Sequence, residues 1–472
     1  MRDNGKSGIM KRKIRHIHFV GIGGIGMSGI AEVLLNLGYK ISGSDVRISD
    51  TTKRLESLGA LVHVGHRSAN LKDADVVVTS TAVTEDNPEV MEAHGRNVPV
   101  IPRAEMLAEL LKMKMSIAVS GCHGKTTTTS MIATLLASGG LDPTMVIGGK
   151  LDSIGSNARL GDGDVIVAEA DESDGSFLSL SPTMTVITNI DREHLDYYAG
   201  IGEIKAAFLT FANKVPFYGT TILCHDCENI RDIIPRIKRR IVTYGLTEQC
   251  DYRAVDVSYE GMETQYKLYH HGTCLGEIHL SVPGLFNVYN SMAAIVVARE
   301  LGLDFETIQR GITAYTGVHR RLEVKGTVRG VTVVDDYGHH PTEIAATLSA
   351  ARQVWTGRLV VVFQPHRYTR TRALFDEFTR AFGDADMTVI TDIYAASEKE
   401  IQGIHAIALA KGVMDAGNER VIYLSTFKEI VNYLTETTVP GDVVLTLGAG
   451  DVWRVGEDFL SQKDDNGDEG GR

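Results

Sequence analysis

At its centre the sequence reads Ser120-Gly-Cys-His-Gly-Lys-Thr126, between a β-branched segment at 116–119 and a helix-length segment that begins near Thr127. A glycine-rich turn that ends in Gly-Lys-Thr between a strand and a helix is typical of a phosphate-binding loop. Its backbone N–H groups and helix dipole hold phosphates, its lysine reaches the β- and γ-phosphates, and its threonine ligates Mg²⁺. Val119 replaces the first glycine of the longer pattern, so this loop is shortened. We predict a nucleoside triphosphate site, with a polar helix cap as the alternative.

A second glycine loop lies near the N-terminus, where Gly21-Ile-Gly-Gly-Ile-Gly26 follows a short strand-like segment and opens a helix. Asp45 comes at the end of the next strand-like segment. In the Rossmann arrangement such glycines let the backbone approach a diphosphate, and the later carboxylate reaches a ribose hydroxyl. The loop predicts a nucleotide diphosphate site without identifying the nucleotide. Tight strand–helix packing without a ligand is the alternative.

Short β-branched runs alternate with amphipathic helix-length segments along most of the chain, which is typical of parallel sheets covered by helices. We predict an α/β protein of three domains: a Rossmann-like domain at 1–113, a central P-loop ATPase-like domain with a mostly parallel sheet at 114–316, and a Rossmann-like domain at 317–460. Residues 461–472 are predicted to form a disordered tail. The predicted strands are 17–20, 39–42, 76–80, 116–119, 165–168, 185–188, 221–223, 331–334, 359–363, 387–391, 421–424 and 443–447.

Composition excludes several classes of protein. The 472 residues are 43% hydrophobic and 23% charged, which fits folded domains better than a disordered or membrane chain. The net charge of −12 disfavours general attraction to nucleic acid or anionic membranes. Five scattered cysteines are too few for a disulfide framework, and the N-terminus lacks the features of a signal peptide. We predict a cytoplasmic protein that neither binds nucleic acid nor inserts into a membrane.

Two acidic segments follow predicted strands. Glu169-Ala-Asp-Glu-Ser-Asp-Gly175 begins at one strand end, and Asn189-Ile-Asp-Arg-Glu-His194 follows another. Parallel α/β sheets place their ligands at the carboxyl ends of strands. We therefore expect at least one acid of the first segment, with the imidazole of His194 from the second, to meet a metal ion near the phosphates. A solvated loop and a structural histidine are the alternatives.

Six motifs extend through all three predicted domains: Gly21-Ile-Gly-Gly-Ile-Gly-Met-Ser-Gly29, Gly124-Lys-Thr-Thr-Thr128, Glu169-Ala-Asp-Glu-Ser173, Arg320-Arg-Leu-Glu323, Asp335-Asp-Tyr-Gly-His-His-Pro-Thr-Glu343 and Phe363-Gln-Pro-His-Arg-Tyr-Thr-Arg-Thr-Arg372. Over about residues 14–455 the chain resembles the Mur ligase family, ATP-dependent amide-forming ligases of peptidoglycan synthesis. The resemblance is greatest to the alanine-adding branch. It implies ATP and Mg²⁺ as cofactors, UDP-N-acetylmuramate and L-alanine as substrates, and a monomer or weak homodimer.

The resemblance also implies roles for individual residues. It implies catalytic roles for Lys125, His339, Arg367 and Arg370, and a Mg²⁺ site at Thr126, Glu169 and His194. It implies ATP contacts for Gly121, Cys122, His123, Gly124, Lys125, Thr126, Thr127, Asn287, Asn290, Arg320 and Asp336. Implied substrate contacts are Gly21, Gly23, Gly24, Gly26, Asp45, Tyr337, His339, Arg367 and Arg370. The first glycine loop would then hold a sugar nucleotide and not NAD.

Three positions depart from family patterns or separate its branches. Phe286 stands where the family often has histidine, and Ser397 stands where it often has glycine. Phe208 occupies the place of a lysine that sister ligases carbamylate for metal binding, and the alanine-adding branch is similar in lacking that lysine. These differences leave the adenine contacts near Phe286 and the turn near Ser397 open.

Three other functions compete with the alanine ligase. A recycling ligase attaches a preformed tripeptide to the same sugar nucleotide, but its third-domain basic motif looks different from His366-Arg-Tyr-Thr-Arg370. A nicotinamide-dependent oxidoreductase would use the first glycine loop and leave the P-loop without a purpose. A non-catalytic nucleotide-binding regulator would not need Lys125, Glu169 and His194 together.

The cysteines add two hypotheses. Cys122 lies inside the phosphate loop, where a helix N-terminus and Lys125 would lower the pKa of its thiol and make it the most reactive cysteine. A small buried side chain is the alternative. Cys224-His-Asp-Cys227 has the spacing of a metal or redox pair, but no second pair accompanies it, so we favour an ordinary structural position.

Overall fold

Three β-sheets, each formed by a separate stretch of the chain, make up the protein. A computed structural model describes residues 10, 13–151, 156–418 and 420–462. The sequence-based prediction of an α/β fold with three mostly parallel sheets is confirmed. Of the predicted tail, residues 463–472 lie outside the described residues. No described helix combines the length and the apolar character needed to cross a membrane.

The first sheet is entirely parallel, in the order β3-β2-β1-β4-β5. Its strands are β1 (His16–Val20), β2 (Lys40–Asp45), β3 (Leu61–Val64), β4 (Val76–Thr79) and β5 (Val100–Pro102). Its helices are Ile25–Asn36, Asp50–Ser57, Pro88–Gly95 and Arg103–Leu111, with a 3₁₀ turn at Ser68–Asn70. The strand order reverses at β1, and the first glycine loop leaves β1 at this switch point, where open α/β sheets bind ligands.

The second sheet has ten strands, in the order β15-β14-β13-β12-β11-β10-β6-β9-β7-β8. They are β6 (Met115–Ser120), β7 (Thr144–Leu151), β8 (Ser156–Arg159), β9 (Val165–Glu169), β10 (Met184–Ile187), β11 (Thr220–Cys224), β12 (Arg240–Gly245), β13 (Tyr252–Glu260), β14 (Glu263–His270) and β15 (Thr273–Leu280). The helices are Lys125–Ser138, Ile201–Ala212, Glu228–Ile233, Leu285–Glu300 and Phe305–Thr313, with 3₁₀ turns at Ser176–Ser179 and Ile234–Arg236. The P-loop joins β6 to helix Lys125–Ser138, which packs against helix Leu285–Glu300.

The strands β13, β14 and β15 pair in antiparallel hairpins, which the sequence analysis missed. Their buried and more exposed residues alternate along much of each strand, as expected where one face packs and the other meets solvent. The glycines at the two hairpin turns, Gly261 and Gly272, have φ of 56° and 80°. Alternation bounded by glycine is the signal that could have predicted these hairpins.

The third sheet is parallel except for β16, in the order β16-β17-β21-β18-β19-β20. Its strands are β16 (Glu323–Val328), β17 (Val331–Asp336), β18 (Leu359–Phe363), β19 (Met387–Ile390), β20 (Val421–Tyr423) and β21 (Val443–Leu447). Its helices are Pro341–Val354, Tyr368–Ala373, Phe375–Thr379, Ala406–Asp415, Phe427–Thr437 and Trp453–Leu460. Separate apolar clusters cover the two faces of this sheet.

The first two sheets share one continuous hydrophobic core. Helix Ile25–Asn36, which follows the first glycine loop, packs on β7 and β8 of the second sheet. This packing brings the two glycine loops to the same side of the molecule. The predicted domain boundaries, at 113 and 316, fall in the connections before β6 and before β16, and they remain a prediction.

Candidate active site

A cavity of about 640 Å³ lies where the three sheets meet. It is lined from the first domain by Gly21, Gly24, Gly26 and Arg103; from the second by Lys125, Thr126, Glu169 and His194; and from the third by Tyr337, His339, Arg367 and Arg370. The structure thus brings most of the residues singled out in the sequence to one cleft. A neighbouring cavity of about 390 Å³ lies behind the P-loop.

The P-loop is held rigidly against the end of β10. Gly124 has φ of 80°, and a Cβ there would lie 2.5 Å from Oδ1 of Asn290, so only glycine fits. The backbone N–H of His123 donates to Oδ1 of Asn189 over 2.8 Å, and the amide of Asn189 donates back to the His123 carbonyl over 2.9 Å. Helix Lys125–Ser138 starts directly after the loop, so its first N–H groups are available to an anion.

Lys125 pairs with a carboxylate that sequence reasoning did not single out. Its Nζ lies 2.7 Å from Oε1 of Glu172, whose side chain is 1% exposed, and also donates to the Gly121 carbonyl over 2.7 Å. Burial alone would lower the pKa of Lys125, but Glu172 and Asp171 outweigh it and raise that pKa. Lys125 is therefore a fixed positive charge at the mouth of the loop.

The predicted metal ligands line the same cleft. Thr126 and Glu169 face it from the P-loop and the end of β9, and Nε2 of His194 lies 3.5 Å from Oε1 of Glu172. The hydroxyl of Thr126 and the carboxylate of Glu169 are the oxygen ligands that Mg²⁺ prefers, and the imidazole of His194 can add a nitrogen, so the chemistry of these residues fits the ion. His194 has φ of 54°, an unusual backbone conformation for a side chain of this size.

Residues of the third domain reach the cleft through charge pairs with the central domain. Arg370 donates to Oε1 of Glu193 over 3.0 Å, and Arg367 lies 3.3 Å from Asp196. Glu193 is 6% exposed, and the cationic groups around it, with Arg370 among them, hold the pKa of its carboxyl at about 2 against the effect of burial. The role of Glu193 could not be predicted from the sequence, because its partner Arg370 belongs to a distant segment.

His339 faces the cleft as a neutral base. Its Nδ1 lies 3.0 Å from the Tyr337 carbonyl, and its Nε2 lies 3.8 Å from Oε1 of Glu193. Burial lowers the pKa of His339 to about 4, so the imidazole is uncharged at neutral pH. With Nδ1–H donating to the carbonyl, Nε2 is left as an acceptor toward the cleft.

A polar contact joins the P-loop to the third domain. His123 lies between Asp191 of its own domain, at 3.2 Å, and Glu343 of the third domain, at 3.3 Å. Burial opposes protonation of His123, but the two carboxylates outweigh it and raise its pKa to about 10. His123, Asp191 and His340 have the separation of metal ligands. A protonated His123 does not ligate a cation, so we interpret the group as a contact between domains.

This contact predicts a pH dependence of stability. The folded pKa of His123 is about 10 against an ordinary value of 6.5, so its stabilising contribution is complete below pH 6.5 and is lost as the pH rises toward 10. Over that range the free energy of unfolding of the wild type should fall by about 1.4 kcal/mol per pH unit relative to His123→Gln. Urea unfolding of both proteins measures it. A difference that does not change with pH would show that His123 is neutral.

Two of the predicted ATP contacts, Asn287 and Arg320, do not line the 390 Å³ cavity. It is lined by Asn290, Asp336, Phe286, Tyr289 and Asp226, among others. Asn287, by contrast, does not line it, and its amide donates to the Pro283 carbonyl over 2.8 Å inside the protein. Arg320 is also engaged elsewhere: it pairs with Asp335 at 2.7 Å and donates to the Gly448 carbonyl. Its neighbour Arg321 lines both cavities.

In the first domain the glycine loop is supported by Asp45 and covered by Arg103. Oδ2 of Asp45 accepts from the Gly23 N–H over 2.9 Å, so this carboxylate supports the loop directly. A Cβ on Gly26 would lie 2.7 Å from Nη1 of Arg103, so the guanidinium lies directly over the loop. Arg103 also lies 3.8 Å from Asp171. The sequence analysis did not single out Arg103, since nothing in its local pattern shows this contact.

The surroundings of Cys122 favour a small buried side chain over the reactive thiol. The side chain is buried, and its Sγ accepts from the Asp191 N–H over 3.1 Å. Burial, with Glu172 and Glu193 nearby, raises the pKa of the Cys122 thiol well above its ordinary value. Of the C-x-x-C pair, Cys224 is buried at the end of β11 and Cys227 accepts weakly from the Ile190 N–H, and both thiols are free.

We therefore expect Cys122 to resist brief iodoacetamide treatment with or without nucleotide. Cys274, which is exposed on β15, should be labelled first because the reagent reaches it freely. Peptide mapping after a short exposure measures both sites in one sample. Labelling of Cys122 ahead of Cys274 would show that the loop opens in solution.

A P-loop domain that shares one cleft with two Rossmann-like domains is typical of a nucleotide-dependent enzyme. Three domain families match consecutive parts of the chain: "Mur ligase family, catalytic domain" at 16–115, "Mur ligase middle domain" at 119–298 and "Mur ligase, glutamate ligase domain" at 320–450. The chain belongs to the Mur ligase family, and the resemblance stated from the motifs is confirmed.

Several relatives match over almost the whole chain. The UDP-N-acetylmuramate–L-alanine ligase of Syntrophus aciditrophicus (strain SB) is 66% identical over 454 residues, which are 96% of this chain and 95% of that protein. The enzyme of the same name from Geobacter sp. (strain M21) is 60% identical, over 96% of this chain and 98% of that protein. The crystal structure of the Thermotoga maritima UDP-N-acetylmuramate-alanine ligase superposes with a TM-score of 0.80 at 30% identity, covering 95% of this chain and 98% of that chain.

Proposed function

We propose that this enzyme joins L-alanine to the carboxylate of UDP-N-acetylmuramate through an acyl phosphate and releases ADP and phosphate. The observation that carries the proposal is the single cleft in which a phosphate-binding loop, a second glycine loop and a basic pair, Arg367 and Arg370, face one another. An ATP-dependent ligase needs these three sites side by side. The names of the relatives favour this function over the tripeptide ligase and the oxidoreductase.

ATP is proposed to bind across both cavities. The triphosphate would lie on the P-loop, with the N–H groups of residues 124–127 and Lys125 facing it. The base would enter the 390 Å³ cavity, lined by Asn290, Tyr289 and Phe286. Thr126, Glu169 and His194 would hold Mg²⁺, which when bound neutralises phosphate charge. Arg321, which lines both cavities, and Glu172, which holds Lys125, join the predicted residues.

An amine does not displace oxygen from a free carboxylate, because that oxygen is a poor leaving group. The carboxylate of the sugar nucleotide must therefore first be phosphorylated. A carboxylate oxygen of the sugar nucleotide attacks the γ-phosphorus, the bond to the bridging oxygen breaks, and ADP leaves. The amine of L-alanine then attacks the acyl carbon, phosphate leaves with the former carboxylate oxygen, and the amine loses a proton. Negative charge builds in both steps, and Lys125, Arg367 and Arg370 are placed to stabilise it. Nε2 of His339 is an acceptor that orients the incoming amine.

The first domain is proposed to hold the diphosphate of the sugar nucleotide. Gly21, Gly24 and Gly26 line the cleft with backbone alone, and Arg103 supplies positive charge directly above Gly26. Asp45 supports the loop through Gly23 and lies at the end of β2, where a ribose hydroxyl would reach its second oxygen. We also propose that the enzyme works in the cytoplasm, where ATP is available, as a monomer or weak homodimer.

The acceptor amino acid distinguishes this function from its nearest alternative. A murein peptide ligase from Psychrobacter arcticus superposes with a TM-score of 0.70 at 24% identity, which shows a shared fold only. Phosphate release should be measured with ATP, Mg²⁺ and UDP-N-acetylmuramate together with L-alanine, glycine, L-serine or the tripeptide. L-alanine is expected to support the fastest release. Release that needs the tripeptide and ignores L-alanine would identify a recycling ligase.

A further inference from the structure

The first domain contains a fully buried carboxylate that no step of the reaction uses. Glu89 lies in the first turn of helix Pro88–Gly95, and its side chain is 0% exposed. Its Oε1 accepts from Nδ2 of Asn70 over 2.6 Å, and its Oε2 accepts from the Ser44 hydroxyl. A buried charge is costly unless it is fully hydrogen-bonded, so this arrangement needs a reason beyond packing.

Two histidines complete the surroundings of this carboxylate. Nδ1 of His66 lies 3.3 Å from Oε2 of Glu89, and Nε2 of His18 lies 3.7 Å from it. Burial alone would raise the pKa of the Glu89 carboxyl, but the nearby His18 and the hydrogen bonds from Ser44 and Asn70 hold that pKa at about 2. Glu89 is therefore ionised whenever the protein is folded near neutral pH.

One partner of Glu89, Ser44, also supports the first glycine loop. The Ser44 carbonyl accepts from the N–H groups of Gly21 and Ile22 over 2.8 and 3.0 Å. The next residue, Asp45, accepts from Gly23 through its side chain. The hydroxyl of Ser44 is bound to Glu89, so this buried carboxylate fixes the strand end on which the whole loop rests.

A second chain of hydrogen bonds also links Glu89 to the end of β2. Asn70, which donates to Glu89, also donates to the Gly65 carbonyl over 3.0 Å. The Gly65 N–H in turn donates to the Asp45 carbonyl over 2.7 Å. One carboxylate thus ties together the ends of β2 and β3, and the loop that lines the cleft is hydrogen-bonded to the end of β2. Neither Glu89 nor Ser44 lines the cleft itself.

We propose that Glu89 is a positioning residue for the sugar-nucleotide site: through Ser44 and Asn70 it holds the first glycine loop in the conformation that receives the diphosphate. The inference rests on the proposed function, because it assumes a sugar-nucleotide diphosphate at this loop. An ionised carboxylate accepts stronger hydrogen bonds than an amide does, and it accepts only. This explains why the negative charge of Glu89 lies beneath a loop that binds an anion. The hydrogen bonds that fix the loop contribute more to binding than the distant repulsion between Glu89 and the diphosphate takes away.

Glu89→Gln tests the proposal, because the amide keeps the shape but cannot accept from both partners in the same way. Isothermal titration should show the affinity for UDP-N-acetylmuramate falling by about tenfold or more, since hydrogen bonds to charged groups contribute on that scale. The affinity for ATP should stay within about twofold of the wild type, and kcat at saturating sugar nucleotide should be unchanged. A role in folding alone would lower the melting temperature without this split between the two ligands.

The matched control is Glu92→Gln on the same helix. Glu92 is part of a surface pair with Arg96 one turn further on, so its removal should change neither affinity. Ser44→Ala provides a second route, since it cuts the link to the glycine loop while leaving Glu89 in place. It is used in the same titration if Glu89→Gln does not fold, and it should also weaken sugar-nucleotide binding alone.

The outcomes separate this inference from the proposed function. Failure of the wild type to bind UDP-N-acetylmuramate would contradict the proposed function. Wild-type binding with unchanged affinity in Glu89→Gln would overturn the positioning role while leaving the function intact. Equal losses of affinity for ATP and for the sugar nucleotide would also overturn it, because they indicate general damage. A selective loss for the sugar nucleotide supports it.

Discussion

Lys125→Ala is expected to lower kcat by about 10² to 10³, the typical cost of removing one preorganised charge from a site where negative charge develops. Lys125 is held by Glu172 and the Gly121 carbonyl at the mouth of the P-loop, so its ammonium needs little reorganisation when the triphosphate binds. Single-turnover rates with saturating ATP measure the effect on chemistry apart from binding. Turnover near that of the wild type would show that another cation performs this role.

The structure also predicts how this variant changes stability. Removing Lys125 leaves the carboxylate of Glu172 buried without its cation, which typically destabilises a protein by about 3–5 kcal/mol. The double variant Lys125→Ala with Glu172→Gln should recover most of that stability and none of the lost turnover. Lys112→Ala is the matched control, because Lys112 is exposed and pairs only with its helix neighbour Glu109. It should change neither quantity.

Arg370→Lys is expected to lower kcat/KM for L-alanine by about 10- to 100-fold, which corresponds to losing one charge-assisted hydrogen bond of about 1.5–3 kcal/mol. Arg370 is 12% exposed, and it lines the cleft with its Nη2 donating to Glu193 and its Nη1 donating to the His366 carbonyl, so its planar fork is fixed where a carboxylate or phosphate would meet it. Lysine keeps the charge but not the fork. Because Glu193 keeps a cationic neighbour, the fold should survive.

The comparison that decides this prediction is between the Michaelis constants. KM for L-alanine should rise well beyond any change in KM for ATP, because the P-loop lies on the other domain. Arg380→Lys in the same domain is the control, since Arg380 is exposed and outside the cleft. Equal effects of Arg370→Lys on both constants would assign Arg370 to domain closure and not to substrate.

The two glycine loops could be predicted because each depends on a short local pattern: glycines at fixed spacing between a strand and a helix. The cleft charges could not, because Glu172, Glu193 and Arg103 find their partners in other segments or other domains. Nothing in a single sequence shows which of two adjacent arginines faces a cavity. The backbone of Arg320 is left-handed, with φ of 60°, and its side chain pairs with Asp335 inside the third domain, whereas Arg321 lines the cleft.

The two departures noted in the sequence have different outcomes. Phe286 packs against the core of the third domain and also lines the cavity proposed for the base. An apolar phenyl ring therefore stands where the family often has the imidazole of a histidine. Ser397 has φ of 71°, the left-handed conformation that glycine adopts freely. The turn is therefore kept without the glycine. The missed hairpins β13 to β15 lie far along the sheet from the P-loop, so this error did not affect the site.

The most direct test of the account uses UDP-N-acetylmuramate with ¹⁸O in both oxygens of its lactyl carboxylate. Incubation with ATP, Mg²⁺ and L-alanine should give ADP, phosphate and the alanine adduct in equal amounts. Mass spectrometry should find one ¹⁸O in the phosphate and the other in the new amide carbonyl, since an acyl phosphate passes one carboxylate oxygen to phosphorus. Phosphate without the label, or ATP hydrolysis without the adduct, would contradict the proposed reaction.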